Sequence, residues 1–279
     1  MAAESTVEGA ASPGDAATRE AILAGAAAHG RRRVGLVLAV IGASAVALWV
    51  TGFFDLDRFL QGLPALAQLG SEMIPPDFTR WRNWIGPLVD TLAMSVAGTA
   101  LAVVLSLPMA LLAAPNTSVN PVMQQLARTV LAAFRSVPEI ILGIIFVAAV
   151  GFGALPGVLA LALHSTGMVG KFYAEAIEHV DPRPLEAARA AGASRLQVIV
   201  HAVMPQVLPQ LADITIYRWE YHFRASAVLG IVGAGGIGFE LMAALRLIRY
   251  DQVSAILLTI LACVMVVDTT GAALRRRLK

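Results

Sequence analysis

Charged side chains stand in this sequence where few belong. The stretch Tyr217-Arg218-Trp219-Glu220-Tyr221-His222-Phe223-Arg224 and the shorter Arg135-Ser136-Val137-Pro138-Glu139 both fall within segments that are otherwise apolar. A charge at the depth of a bilayer costs at least a few kcal/mol, so such groups usually face a cavity or a partner. The competing reading puts 218–224 at the outer membrane interface, with the aromatic residues as a belt. On these residues alone both readings stand.

Other chemistries find little support. His29, His164, His179, His201 and His222 are scattered without metal-ligand spacing, and no nucleophile motif stands out. There is no Gly-x-x-x-x-Gly-Lys-Ser/Thr phosphate loop, so the chain is not its own ATPase. Gly233-Ala-Gly235-Gly236-Ile-Gly238 satisfies the dinucleotide pattern Gly-x-Gly-x-x-Gly. The acidic residue a Rossmann fold needs about 20 positions later would fall inside an apolar run, so no βαβ unit fits. These glycines read instead as close backbone packing, or as a broken re-entrant segment facing an outer cavity.

The elements that must carry these groups are membrane helices. The chain has 279 residues, 57% hydrophobic and 14% charged, with a mean hydropathy of +0.71. Soluble domains are roughly 45–50% apolar and about 25% charged. Residues 34–54 and 91–114 carry no charge, and about 20 apolar residues span a bilayer. The pattern predicts an all-α polytopic protein with six spans, near 34–53, 88–114, 129–150, 155–174, 203–222 and 253–273. The third must take Arg135, Pro138 and Glu139 at or near an end. Residues 1–33 read as a loose tail containing a short helix over 17–29, and the first span as an uncleaved helix, since it is too long for a signal peptide. Residues 34–83 then form the first span and an outer amphipathic loop, and 84–279 the main membrane domain. Cys263 has no partner for an internal disulfide and reads as a small core residue. A net charge of +2 gives no reason to expect nucleic acid as a partner.

Arg31, Arg32 and Arg33 before the first span, and Arg275, Arg276, Arg277 and Lys279 after the last, place both termini in the cytoplasm. Arg58, Arg80 and Arg82 in the first outer loop run against the rule. Asp268, about two turns before Arg275, is expected near the cytoplasmic face, with no role.

This topology puts 175–202 in the cytoplasm. Asp181 is an N-cap candidate, Pro182 and Pro184 fit a first turn, and four alanines over 187–191 favour helix. Gly192 suits the position after a helix end, and Ser194 can cap the next helix. The prediction is a short helix, a tight turn and a second helix entering the membrane. Such a small-residue helix either docks in a groove of another protein or is an ordinary surface helix.

Glu186-Ala187-Ala188, three residues, Gly192, nine residues, then Ala202-Val203-Met204-Pro205 resembles the EAA motif of bacterial ABC importer permeases. Ala202 and Met204 replace the usual Ile and Leu; Pro205 is kept. The stretches 217–220, 224–226, 228–238 and 135–139 resemble permeases of phosphonate-type importers. The resemblance covers about 84–279 and is thin before that. It implies a type I importer permease in the cytoplasmic (inner) membrane. Such a permease works as a homodimer, with two cytoplasmic ABC ATPase subunits and an extracytoplasmic binding protein. The chain itself would be no enzyme and hold no cofactor; ATP and Mg would bind the ATPase. Glu186, Ala187, Ala188, Gly192 and Pro205 would couple to that ATPase. The substrate implied is phosphonate, phosphate or phosphite, with methionine or an osmolyte as the alternative and ion-coupled transport as the more distant one. For such anions, Arg218 and Arg224 would give a transient positive path, Glu220 would orient an arginine, and Arg135 and Glu139 would form a second pair or a structural ion pair.

Overall fold

The computed structural model describes the backbone of residues 13–278 and the side chains of residues 30 and 32–277. The described backbone is helical with short connections. It divides at Gln68/Leu69 into two units.

The first unit holds α1 (Pro13–Val50) and most of α2 (Leu56–Glu72). One helix replaces the expected short helix and separate span. Proline is tolerated at a helix's first position, alanine and arginine are strong formers, and each interior glycine costs only about 1 kcal/mol. The part of the expected tail before residue 13 lies outside the described residues. Within α1, Arg32–Val50 is apolar enough to cross a bilayer and none of it is buried. In α2, Leu56, Phe59, Leu60 and Leu63 recur at helical spacing and all are exposed. The Asp55 carboxylate caps it by accepting the Arg58 N–H at 3.1 Å. An apolar stripe of this kind suits the surface of a bilayer.

The second unit is built around α6 (Ala154–Glu178), which packs on α3 (Trp81–Ala113), α4 (Pro121–Ser136), α5 (Glu139–Val150) and α9 (Met204–Leu229). Its small residues allow backbones to approach closely, as membrane helices require. A Cβ at Gly167 would lie 2.5 Å from the Leu131 carbonyl oxygen of α4, and one at Gly157 would lie 2.6 Å from Met94 Sδ of α3. The last helix, α11 (Tyr250–Leu278), packs on α9 and on α10 (Ile237–Arg246).

Four described helices are long and apolar enough to cross a membrane, or five if α4 and α5 count as one bent span. The expected third span is bent by 82° between these two helices. Pro138 lies in the bend because proline excludes the preceding residue from helical geometry; Val137 is extended, at φ −93°, ψ 119°. Helix α6 has the length of a span but tolerates polar residues along it, since it is covered by its neighbours. The expected fifth span runs longer at both ends, as one apolar stretch over Arg195–Ala234.

That stretch ends in a break. Gly233, Gly235 and Gly236 adopt φ of 103°, 75° and 70°, backbone that side chains other than glycine rarely take. Gly238 then packs directly on α9, where an added Cβ would sit 1.8 Å from the Ala227 carbonyl oxygen. Gly238→Ala is therefore expected to destabilise the protein by roughly 1–3 kcal/mol, as overpacking does. Gly86→Ala, with open space around it, should not lower the thermal midpoint of the purified protein, since alanine favours helix over glycine, and so serves as the control.

Candidate functional site

Two regions gather the residues singled out from sequence. The first is the 181–205 loop. Asp181 caps α7 (Pro182–Ala190) by accepting the Arg183 N–H at 3.0 Å. The Arg183 side chain also grips this carboxylate, with Nη2 2.5 Å from Oδ2. These bonds hold the Asp181 carboxyl below the usual carboxylate range. A group depressed in the folded state contributes fully above its unfolded pKa and loses that contribution as pH falls through the lower one. The cap is thus intact at neutral pH and weakens only in acid.

Helix α7 is anchored by one side chain. Leu185 is buried and joins a core with Tyr173, Ile177, Val198 and Val203. Glu186, Ala187, Arg189 and Ala190 are exposed, and Ala188 is half-buried. The chain turns at Gly192, φ 84°, while the Ala193 N–H bonds back to the Ala188 carbonyl at 3.0 Å. Ser194 and Gln197 form a reciprocal capping box on α8 (Arg195–Val198). A π-helical turn, Ile199–Val203, follows, and Pro205 lies in the first turn of α9. Nothing in the sequence pointed to the brace beneath this loop. Asn116 Nδ2 donates to the Ile177 carbonyl at 2.5 Å, and Arg195 Nη2 donates to the Thr117 carbonyl at 3.3 Å.

The second region is the middle of α9, where the polar stretch splits three ways around the helix. Arg218, Tyr221 and His222 share one face, as residues at i, i+3 and i+4 do. Arg218 is 6% exposed. Its Nε donates to Ser165 Oγ at 2.8 Å, and its guanidinium lies 4.2 Å from the centre of the Tyr221 ring. His222 bridges Ser165 and Thr99, at 2.5 and 2.7 Å. The Tyr221 hydroxyl donates to Glu139, and Glu139 lies 3.3 Å from His164. The result is one polar chain through α3, α6, α9 and α5. Arg218 Nη2 is buried and has no hydrogen-bond partner among the described residues. A guanidinium with a free donor in a buried site can bind an oxyanion.

The other charges go elsewhere. Glu220 orients neither Arg218 nor Arg224; its Oε1 lies 2.8 Å from Arg275 Nη1 of α11. Arg224 pairs with Asp268 at 2.9 Å, so Asp268 has a partner on α9. Arg275, expected as part of a basic flank, turns back onto Glu220. Arg135 and Glu139 do not pair, because the bend at Pro138 separates their helices. Glu139 turns to Tyr221 and His164, and Arg135 lines a cavity between α4 and α6. Trp219 and Phe223 form the third face and line an apolar crevice with the half-buried Cys263. Among the described residues, no cluster of three or more His, Cys, Asp or Glu could hold a metal.

Residues 106–279 match the family described as the binding-protein-dependent transport system inner membrane component. The chain belongs to this family. As a member it is a multi-pass membrane subunit of a transport system and not an enzyme. It is 60% identical over 261 residues to the phosphite transport system permease protein PtxC of Stutzerimonas stutzeri, covering 94% of this chain and 95% of that one. It is 42% identical to the phosphate-import permease protein PhnE of Mycolicibacterium smegmatis, over 84% of this chain and 44% of that one. An inward-facing structure of the MetNI methionine ABC transporter shares its fold, with a TM-score of 0.63 and 22% identity over 70% of this chain and 96% of that one.

Proposed function

We propose that this permease subunit carries a phosphorus oxyanion (phosphite, phosphonate or phosphate) into the cytoplasm by ATP-driven alternating access. The observation that carries the substrate class is the 60% identity to a phosphite permease, end to end. The buried guanidinium of Arg218 supports it chemically, since its free Nη2 is suited to an anionic oxygen. Two copies of the chain form the path, and both termini are cytoplasmic. An extracytoplasmic binding protein delivers the anion. Two ATPase subunits bind ATP and Mg and dock on the exposed face of α7, around Glu186 and Ala187, with Gly192 and Pro205 fixing the turn and the return into the membrane. Closure of the ATPases then shifts the balance between inward- and outward-facing states.

Ion pairs Glu220–Arg275 and Arg224–Asp268 hold α9 to α11, and Arg218 is the contact for substrate. The test is uptake into liposomes containing the permease, its ATPase and its binding protein. ATP-dependent uptake is expected for at least one of phosphite, methylphosphonate and phosphate, and none for methionine. Uptake of methionine alone would refute the assignment.

A further inference from the structure

Helices α4 and α6 carry a second cationic site. A cavity of about 220 Å³ opens between them and is closed by Ala113 of α3. One wall is Arg128, Leu131 and Arg135, spaced along one face of α4. The other is Lys171, Ala174, Glu175 and Glu178, spaced likewise along α6. Arg128 is paired with Glu178 at 3.2 Å and Lys171 with Glu175 at 3.4 Å. Arg135 is half-buried and has no hydrogen bond or ion pair among the described residues. The cavity thus holds three cations against two carboxylates, and the surplus charge is a guanidinium.

Its position along α6 matters. Ser165, which holds Arg218, lies two residues before Gly167, and an added Cβ at Gly167 would sit 2.6 Å from the Arg135 backbone nitrogen. Lys171 and Glu178 follow towards the end of α6 that meets the 181–205 loop. At about 1.5 Å of rise per residue, Glu178 lies roughly 20 Å beyond Ser165, and because a helix turns about 100° per residue the cavity's residues lie on a different side of α6 from Ser165. Weak successive sites are what conduction needs, because a single tight one would retain its ion.

We propose that this cavity is an exit station for the oxyanion. Beyond the level of Arg218 and on another side of α6, Arg135 receives the anion, and Lys171 and Arg128 pass it to the cytoplasm. Glu175 and Glu178 keep the two lower cations partly compensated, so the anion is held loosely there. The inference rests on the proposed substrate class and names the residues on the cytoplasmic half of the path.

The test is phosphite uptake by the complete reconstituted transporter, read as phosphite carried per ATP hydrolysed. Arg135→Gln is expected to lower this ratio about tenfold, the loss of one charge-assisted contact, and Arg135→Lys to recover much of it. A purely structural role would lower uptake and hydrolysis together and leave the ratio unchanged; an unchanged ratio overturns the exit station. If the wild-type transporter carries none of the three oxyanions, the substrate class itself is wrong. If it carries phosphite with a ratio insensitive to Arg135, only the exit station is.

Discussion

Arg218→Gln is expected to cut oxyanion uptake by about 10- to 100-fold, the effect of losing one charged hydrogen-bonding contact worth roughly 1.5–3 kcal/mol. The loss should appear in transport and not in folding. Glutamine still reaches Ser165, and the Tyr221–Glu139 and Glu139–His164 contacts do not pass through Arg218. The thermal midpoint should therefore move little. Arg218→Lys keeps the charge but not the planar fork that grips two oxygens, so its uptake should lie between those of the wild type and the glutamine variant. Equal uptake by all three proteins would remove Arg218 from the path.

Ala187→Trp is the second large effect. Ala187 is exposed on α7, and nothing in the chain itself forbids a larger side chain there. The structural anchor of the helix is the buried Leu185, one turn face away. On an unpartnered surface the substitution should change stability by less than about 0.5 kcal/mol. Against a closely docked ATPase it should abolish the fit, because overpacking a contact costs roughly 1–3 kcal/mol or more. Expected are an unchanged melting curve for the permease, loss of the co-purifying ATPase, and at least about a tenfold fall in uptake. Full uptake would mean that α7 does not dock.

What was legible in the sequence depended on range. The 181–205 loop was readable because its signals are local: Asp181 and Ser194 cap the residues that follow them, and Gly192 supplies the one positive φ the turn needs. The charged residues were readable as types but not as pairs. Glu220 meets Arg275, Arg224 meets Asp268 and Glu139 meets Tyr221 across long separations, whereas nearness in sequence had suggested Glu139 with Arg135 and offered no partner for Asp268. Ser165, Thr99 and His222 were missed as a connected group because a lone serine or threonine in an apolar run has no distinguishing pattern. Their bonds depend on how α3, α6 and α9 pack. Pro138 was recognised as disruptive; the break ends α4 at Ser136 and starts α5 at Glu139, and it falls inside the expected span and not at its edge. At the N-terminus, residues 13–50 lack a breaker strong enough to interrupt the helix, so the expected division within them does not exist.

Contact between Arg218 and the transported anion can be seen in a structure of the assembled transporter trapped with ATP and a phosphite-loaded binding protein. The expected result is an oxyanion within hydrogen-bonding distance of Arg218 Nη2, with the bond to Ser165 kept or exchanged for it. An anion crossing the membrane along another face, with Arg218 still enclosed by Ser165 and Tyr221, would contradict it.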